Sequence, residues 1–443
     1  MDVVRINMSH ADHKSAGQVI SWIKTLNRQV KYPIPILLDT QGPEIRTGVR
    51  SQPMNLTEGE VVTLSVRDQT NVEESSIHIN YKDLVDSVGV GDRITVDNGL
   101  INFDVLEKEG KQLTCRVVDG GVLGSRRHVN LPGVRVNLPA ITEKDERDIK
   151  FGVEAEIDYV ALSFVRCAED VEQLRKLLGK KSQAIKIIAK IEDREGVKNI
   201  ETIASAADGV MVARGDLGIE TDISELPNIQ RQIVRTCAQL GRRSIVATHL
   251  LESMITNPIP TRAEVTDVAN AIYEGVDAIM LSGETSVGEY PERCVQQLDD
   301  IARASERFSG LGFEEELSVL HDKQHIATHA AHLAQAIEAK GIIVITRRGI
   351  TADLVTNCRP SSVPIFAVTN NSQTRRRLAL NYGVHSHRIA FSKEPEKTLQ
   401  TAMNVLKQSE GLCEGDKVVV ISDVLAQDPV DAIQVRRVTS SKK

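Results

Sequence analysis

Lys190 and Glu192 stand two residues apart at the end of the apolar run Ile185 to Ala189. The two-residue period of an extended chain puts both side chains on one face. Asp216 follows the next such run, Gly209 to Ala213. Two carboxylates from neighbouring strands, completed by water and substrate oxygens, suit a hard divalent ion such as Mg²⁺. The segment Ala213-Arg214-Gly215-Asp216-Leu217-Gly218 adds backbone N–H groups on a glycine-bracketed turn that can hold an anion. A cation, metal-binding carboxylates and an anion nest together describe a site for a phosphorylated, carboxylated small molecule, because phosphoryl transfer mostly requires positioning and charge neutralisation. An ion pair between Lys190 and Glu192 that merely closes the top of a sheet would use the same residues without chemistry. A second group, Asn7, Ser9, Asp39 and Thr40, lies near Arg5, Glu44 and Arg46. Each of its members could equally cap a helix or turn. Thr261-Arg262-Ala263-Glu264 reads as a capping box. His10, His13 and His249 show no metal-ligand spacing, so no zinc site is expected.

These residues need elements to hold them. Seven short apolar runs recur with helical patterns between them: Val3 to Asn7, Ile34 to Asp39, Tyr159 to Ser163, Ile185 to Lys190, Gly209 to Arg214, Ser244 to Thr248 and Ala278 to Ser282. Such alternation marks βα units around a parallel sheet. A barrel of this type closes with eight strands and carries its chemistry where the strands end, and all seven runs end in reactive groups. The predicted fold is therefore α/β: a TIM-type (β/α)8 barrel lacking its first βα unit. Residues 1–42 and 137–312 would form the barrel. Residues 43–136 change to alternation with turns and read as an inserted β-barrel lid, with strands at Val61 to Val66, Ile77 to Asn80, Arg93 to Gly99 and Leu113 to Val118. After a weakly patterned linker from Gly310 to Leu320, residues 320–443 read as a separate doubly wound α/β domain. It would contain a helix over His329 to Ala339 and strands at Gly341 to Thr346, Pro364 to Thr369, His387 to Phe391 and Asp416 to Ser422. Ser440 to Lys443 read as a frayed tail.

The 443-residue chain has Lys+Arg 54 against Asp+Glu 61, a formal charge of −7, and aromatics at only 3%. That excludes the basic surface and stacking platforms of a nucleic-acid binder. No run approaches the roughly 20 apolar residues of a membrane span. Six dispersed cysteines without a CxxC pair favour a reducing, cytoplasmic setting. Strand-like sequence directly after Met1 leaves no room for a targeting segment, so either the setting is cytoplasmic or the true start, with any organellar targeting segment, lies upstream.

Taken together, Arg5-Ile6-Asn7-Met8-Ser9-His10, Leu38-Asp39-Thr40-Gln41-Gly42-Pro43-Glu44-Ile45-Arg46-Thr47-Gly48, Ile188-Ala189-Lys190-Ile191-Glu192, Met211 to Gly218, Glu252 to Ile255 with Pro260 to Glu264, and Met280 to Thr285 resemble the pyruvate kinase family. The resemblance runs in order along the whole chain. It implies transfer of a phosphoryl group from phosphoenolpyruvate to ADP, giving pyruvate and ATP, and a homotetrameric assembly. By the same resemblance Glu192 and Asp216 would hold Mg²⁺ (or Mn²⁺), and Asn7, Ser9, Asp39 and Thr40 would hold K⁺. Lys190 would stabilise the transferring phosphoryl group and the enolate, and Arg5 would act on the phosphoryl group. Thr248 would stand beside the enolate in proton transfer. Arg46, His10, Gly215, Asp216 and Thr248 would meet the nucleotide and its metal, and Glu44 would go with K⁺ dependence. Thr346-Arg347-Arg348-Gly349-Ile350-Thr351 is similar to the family's effector-phosphate loop, with Thr351 as helix cap, and would take a sugar phosphate; an ordinary turn with exposed arginines is the alternative.

Gln41 and His249 depart from the family's common Lys and Gln, and Ala11 from a common Gly. The family also has a βα unit before the strand of Arg5. Its absence implies an open barrel that is poorly soluble or nearly inactive when expressed alone. The rival readings are an inactive fragment or regulatory paralogue and, more weakly, another barrel enzyme of phosphoenolpyruvate or oxo-acid chemistry.

Overall fold

The computed structural model describes residues 1–66, 76–134, 136–319, 321–422 and 432–439. The expected frayed tail, Ser440 to Lys443, lies outside them. Seven strands form one parallel sheet in chain order: β1 (Val4–Asn7), β2 (Ile36–Asp39), β3 (Tyr159–Leu162), β4 (Lys186–Ile191), β5 (Gly209–Ala213), β6 (Arg243–Ala247) and β7 (Ala278–Met280). Helices cover its outer face, so strands such as β3 and β5 are buried on both sides. This is why they read as unbroken apolar runs rather than alternating ones. One side chain set, including Ile187, Ala189, Val210 and Val212, packs outward against the helices, while Leu37, Ala161, Ile188, Met211 and Ile245 fill the inside of the curled sheet. Register pairs Asn7 with Asp39, which aligns the polar ends of β1 and β2.

The expected capping box is present. Thr261 caps the helix Arg262–Tyr273 through Glu264, and Glu264 also accepts from the Ser253 N–H at 2.7 Å and from its hydroxyl at 2.6 Å. A second box at Thr142 starts Glu143–Glu154. Its Asp145 is buried and accepts from the Gln41 and Gly42 N–H groups, both at 3.1 Å, where the chain leaves β2 for the inserted β strands. Gly42 has φ +73°, and a Cβ there would lie 2.8 Å from that of Ser163. This turn therefore needs glycine twice over.

Between β2 and β3 a six-stranded sheet and a strand pair enclose a core around Leu64, Phe103 and Leu113. The expected strands are present. Its longest strand, Ile101–Glu109, was not anticipated, although its first residues alternate in burial. The C-terminal sheet holds β8 (Ile342–Ile345), β9 (Ile365–Thr369), β10 (Val384–Arg388), β11 (Lys417–Ser422) and β12 (Ala432–Arg437), in the order β10-β9-β8-β11-β12. Four strands are parallel and β12 is antiparallel to β11. Two expectations shift here. The helix lies at Asp322–Ala336, starting seven residues earlier than expected, and β10 spans Val384–Arg388 rather than His387 to Phe391. The polar sequence Val384-His385-Ser386-His387-Arg388 hid an interior-facing strand, because Ser386 is buried through a hydrogen bond to the Arg375 carbonyl and His387 beside the Glu410 carboxylate, 2.8 Å away, rather than by apolar character.

The C-terminal sheet docks on the N-terminal ends of the barrel strands. Leu380 joins the apolar interior of the barrel. Arg376 Nε lies 2.9 and 3.0 Å from the two oxygens of Asp158, which is wholly buried. Arg377 donates to the Gln183 and Ala184 carbonyls at 2.9 and 3.0 Å. Removing one partner of a buried ion pair strands the other. Arg376→Ala should thus lower stability by about 1–3 kcal/mol, read as a lower urea midpoint for the barrel. An unchanged midpoint would show that the pair does not hold the domains.

Candidate active site

Lys190, near the end of β4, is nearly buried. Its Nζ donates to Ser163 Oγ at 2.8 Å and lies 3.1 Å from both Asp39 Oδ1 and Glu192 Oε1. Burial alone would push the ammonium's pKa down, but the two carboxylates outweigh it and hold it above the ordinary lysine value. The lysine is thus charged at every physiological pH. Arg5 reaches the same Asp39 from β1, with Nε at 2.7 Å and an Nη at 2.6 Å from Oδ2. The Lys190–Glu192 ion pair therefore exists, and it is one edge of a larger cluster of two cations and two carboxylates drawn from three strands.

Glu192 Oε2 accepts the Phe164 N–H at 2.7 Å, which is aimed there because Phe164 has φ +51°. Burial pushes the Glu192 carboxyl up to about 7, opposed by Lys190 and assisted by Asp216. Asp216 sits in the first turn of the helix Arg214–Glu220 that follows β5; burial raises its pKa as well, against the pull of Lys190. Each of these two carboxylates resists ionising beside the other. No group of three or more His, Cys, Asp or Glu side chains suited to a metal exists among the described residues. Glu192 is buried and Asp216 partly exposed, and two carboxylates placed side by side in this way nonetheless fit Mg²⁺, which takes one or two protein carboxylates and fills its remaining positions with water and substrate oxygens. His128, reaching in from the inserted β sheet, is 3.6 Å from Asp216, packs near Phe164, and is kept below its ordinary pKa by burial.

The turn after β6 carries Thr248 and His249, both in the left-handed region at φ +69° and +54°. Two successive non-glycine residues there are costly and persist only where the surroundings fix them. Arg214 supplies that fixation. Its guanidinium donates to the Thr248 carbonyl at 2.6 Å and the His249 carbonyl at 3.2 Å, and is itself held by Asp267 at 2.8 Å. Thr248 Oγ1 accepts the Gly215 N–H at 2.8 Å and donates to the Ala247 carbonyl at 2.6 Å. This corrects one expectation: the Gly215 N–H offered to an anion by the sequence is already given to Thr248, and the helix it opens is only seven residues long. Ser163 follows β3 in register with the other strand ends, where the sequence placed it. Asp267 has no such signal, since it lies 53 positions from its arginine and no spacing could reveal it.

Asn7 Oδ1 accepts the Ser9 N–H at 3.0 Å, so this pair does form a local turn cap. Thr40 Oγ1 accepts the Ser163 N–H at 3.0 Å. Asp39 Oδ1, completely buried, accepts no hydrogen bond even though Lys190 is close by. A buried carboxylate oxygen that accepts no hydrogen bond, beside Asn7 and Thr40, fits a further cation such as K⁺. Glu44 is less available than the sequence implied. Arg46 Nε lies 2.7 Å and Gln41 Nε2 2.9 Å from its Oε2, and these outweigh burial and hold its pKa down. His10 is exposed on the turn after β1, outside the Lys190 cluster. His13 pairs with Asp148 at 2.8 Å and stacks on Phe151, as expected of a satisfied polar side chain. In the C-terminal loop, Gly349 at φ +90°, not Thr351, caps the helix Ile350–Thr356. Thr351 lies inside that helix and is buried, while Thr346 Oγ1 accepts the Gly349 N–H at 3.1 Å.

Comparison with known proteins agrees with this geometry. Residues 1–295 match the family described as pyruvate kinase, barrel domain, and residues 324–435 the family described as pyruvate kinase, alpha/beta domain. The chain is 42% identical over 432 residues to "Pyruvate kinase" of Geobacillus stearothermophilus, covering 96% of this chain and 73% of that protein. It is 40% identical over 430 residues to "Pyruvate kinase" of Clostridium perfringens, covering 95% and 90%. It is also 40% identical over 446 residues to "Plastidial pyruvate kinase 3, chloroplastic" of Arabidopsis thaliana, covering 99% and 78%. With its barrel strands ending in the Lys190, Glu192 and Asp216 cluster and both family matches in sequence order, the chain belongs to the pyruvate kinase family.

Proposed function

We propose that the cluster at the C-terminal ends of the barrel strands carries out the family's glycolytic reaction, in which the phosphoryl group of phosphoenolpyruvate passes to ADP. The observation that carries this reading is Lys190, buried yet held charged between Asp39 and Glu192. Its ammonium is a preorganised charge for the phosphoryl group in flight and for the enolate oxygen left behind. Arg5, tied to Asp39, offers a second cation to the phosphoryl oxygens. The P–O bond to the enol oxygen breaks, that oxygen keeps the electron pair, and the terminal oxygen of ADP takes the phosphorus. The enolate then gains one proton at its methylene carbon to give pyruvate, with the Thr248 hydroxyl beside it. Glu192 and Asp216 would hold Mg²⁺ or Mn²⁺, which supplies charge neutralisation to the phosphoryl and carboxylate oxygens. Asn7, Ser9, Asp39 and Thr40 would hold K⁺. Arg46, His10, Gly215 and Asp216 would face the nucleotide end, with His10 the least supported because it stands apart from the cluster.

The same reading divides the chain into a catalytic barrel (1–42 and 137–312), a lid (43–136) and a regulatory domain (320–443). A homotetramer and a sugar phosphate at Thr346 to Thr351 belong to it, the latter supported by the exposed Arg347 and Arg348. A cytoplasmic setting accords with six cysteines that are all free thiols. No helix among the described residues is long and apolar enough to cross a membrane. Nothing among the described residues favours an inactive paralogue.

Three outcomes follow. Lys190→Met should lower kcat for pyruvate formation at least about a thousandfold, with circular dichroism unchanged; near-normal turnover would refute the assignment. Potassium should activate, and Glu44→Lys should reduce the response to it while releasing Arg46. Equal rates with and without K⁺ in both proteins would leave Asn7, Ser9, Asp39 and Thr40 as turn caps only. The third concerns pH. Because the Glu192 pKa is raised above its ordinary value, the folded metal-free chain binds more protons than the unfolded one, so stability falls as pH rises from about 4.5 to about 7. Thermal midpoints in EDTA should show this fall, Glu192→Gln should flatten it, and Mg²⁺ should offset it. An identical slope in the variant would exclude Glu192 as its source.

A further inference from the structure

Where the C-terminal domain meets the N-terminal ends of the barrel strands there is a cavity of about 80 Å³, at the opposite end of the strands from Lys190. Five basic side chains line it: Lys186, Arg242 and Arg243 from the barrel, Arg348 and Arg377 from the C-terminal domain. Only Asp208 and Asp353 oppose them. Asp208 is already committed to Lys186 at 2.7 Å, and Asp353 to the Asn381 amide at 2.7 Å. Arg243 is committed too, pairing with Asp277 at 3.0 Å.

Two donors are left over. The Nε atoms of Arg242 and Arg377 are buried and have no hydrogen-bond partner among the described residues. Arg377 is only 9% exposed, and its other nitrogens are spent on the Gln183, Ala184 and Arg348 carbonyls and on Thr374 Oγ1. Arg242 is held below its ordinary pKa, first by burial. A buried guanidinium N–H without an acceptor costs free energy in the empty protein, and a bound anion would recover it. The excess of positive charge gives the sign of the missing partner, and the volume gives its size.

We propose that this cavity binds a small phosphate-type oxyanion, bridging Arg242 of the barrel to Arg377 of the C-terminal domain. The anion is either free inorganic phosphate or the phosphoryl end of a monoester whose organic part leaves past the exposed Arg348. The site is separate from Lys190 and does not depend on how the catalytic reading fares. It shares Arg348 and Gly349 with the Thr346 to Thr351 loop, but Arg347 does not line it.

Isothermal titration of the full chain with inorganic phosphate, and separately with glycerol 3-phosphate, tests this. Saturable binding is expected in the native chain, in Lys190→Met and in Arg347→Ala. Affinity should fall at least tenfold in Arg242→Gln and in Arg348→Ser, while each variant keeps the native thermal midpoint in phosphate-free buffer. Tighter binding of the ester than of phosphate would identify a monoester ligand, and the reverse the free anion. The proposal is overturned if neither probe binds saturably, if Lys190→Met or Arg347→Ala abolishes binding, or if folded Arg242→Gln binds as tightly as the native chain.

Discussion

A lysine ammonium removed from water must find anionic partners or lose its proton. At Lys190 that requirement is met by Asp39 and Glu192, with Ser163 taking the hydrogen bond, and those groups come from three different strands. The barrel must therefore be in register before the charge is tolerable. Arg5 is caught in the same demand, since Asp39 is wholly buried and answers both cations. The parallel sheet supplies the solution because its strands all end at one rim, where apolar burial stops and polar groups can face one another. Chemistry and stability thus constrain the same few positions.

The loops that leave this rim carry strain. Phe164, Thr248 and His249 are all left-handed without being glycine. Each is fixed by a bond to a charged residue: Phe164 by Glu192, and the other two by Arg214. Arg214 in turn rests on Asp267, and Gln230 stands near its guanidinium and donates to Glu274, which is wholly buried. This chain of side chains runs behind the site and, among the described residues, makes no hydrogen bond or ion pair with Glu192 or Asp216. Its role is to hold the Thr248 hydroxyl where the end of β6 alone would not.

At the other end of the strands the interior of the curled sheet is covered by contacts from the C-terminal domain. Leu380 enters its interior and Arg376 meets Asp158, whose second function is to accept the Ile36 N–H at 3.1 Å at the start of β2. A displacement of the C-terminal domain would thus act on the first residue of the strand that ends in Asp39. This offers a physical route by which events in the C-terminal domain can reach the site through a rigid strand rather than through a loop.

The sequence by itself determined the barrel strands, the rim on which the reactive residues fall, and the lid and C-terminal sheet, because hydrophobic periodicity is a local property that burial on two faces or one writes directly into the chain. Lys190, Glu192 and Asp216 were legible for the same reason: a charged residue within three positions of the end of a buried run has few places to be. The strand Val384–Arg388 was not, since His387 and Ser386 are buried by partners rather than by their own character. Nor were the use of the Gly215 N–H by Thr248, the commitment of Glu44 to Arg46, or the Gly349 cap in place of Thr351. Only the tertiary structure decided these, because a hydrogen bond is won by whichever acceptor the fold brings within about 3 Å, and distance in space is not written in spacing along the chain.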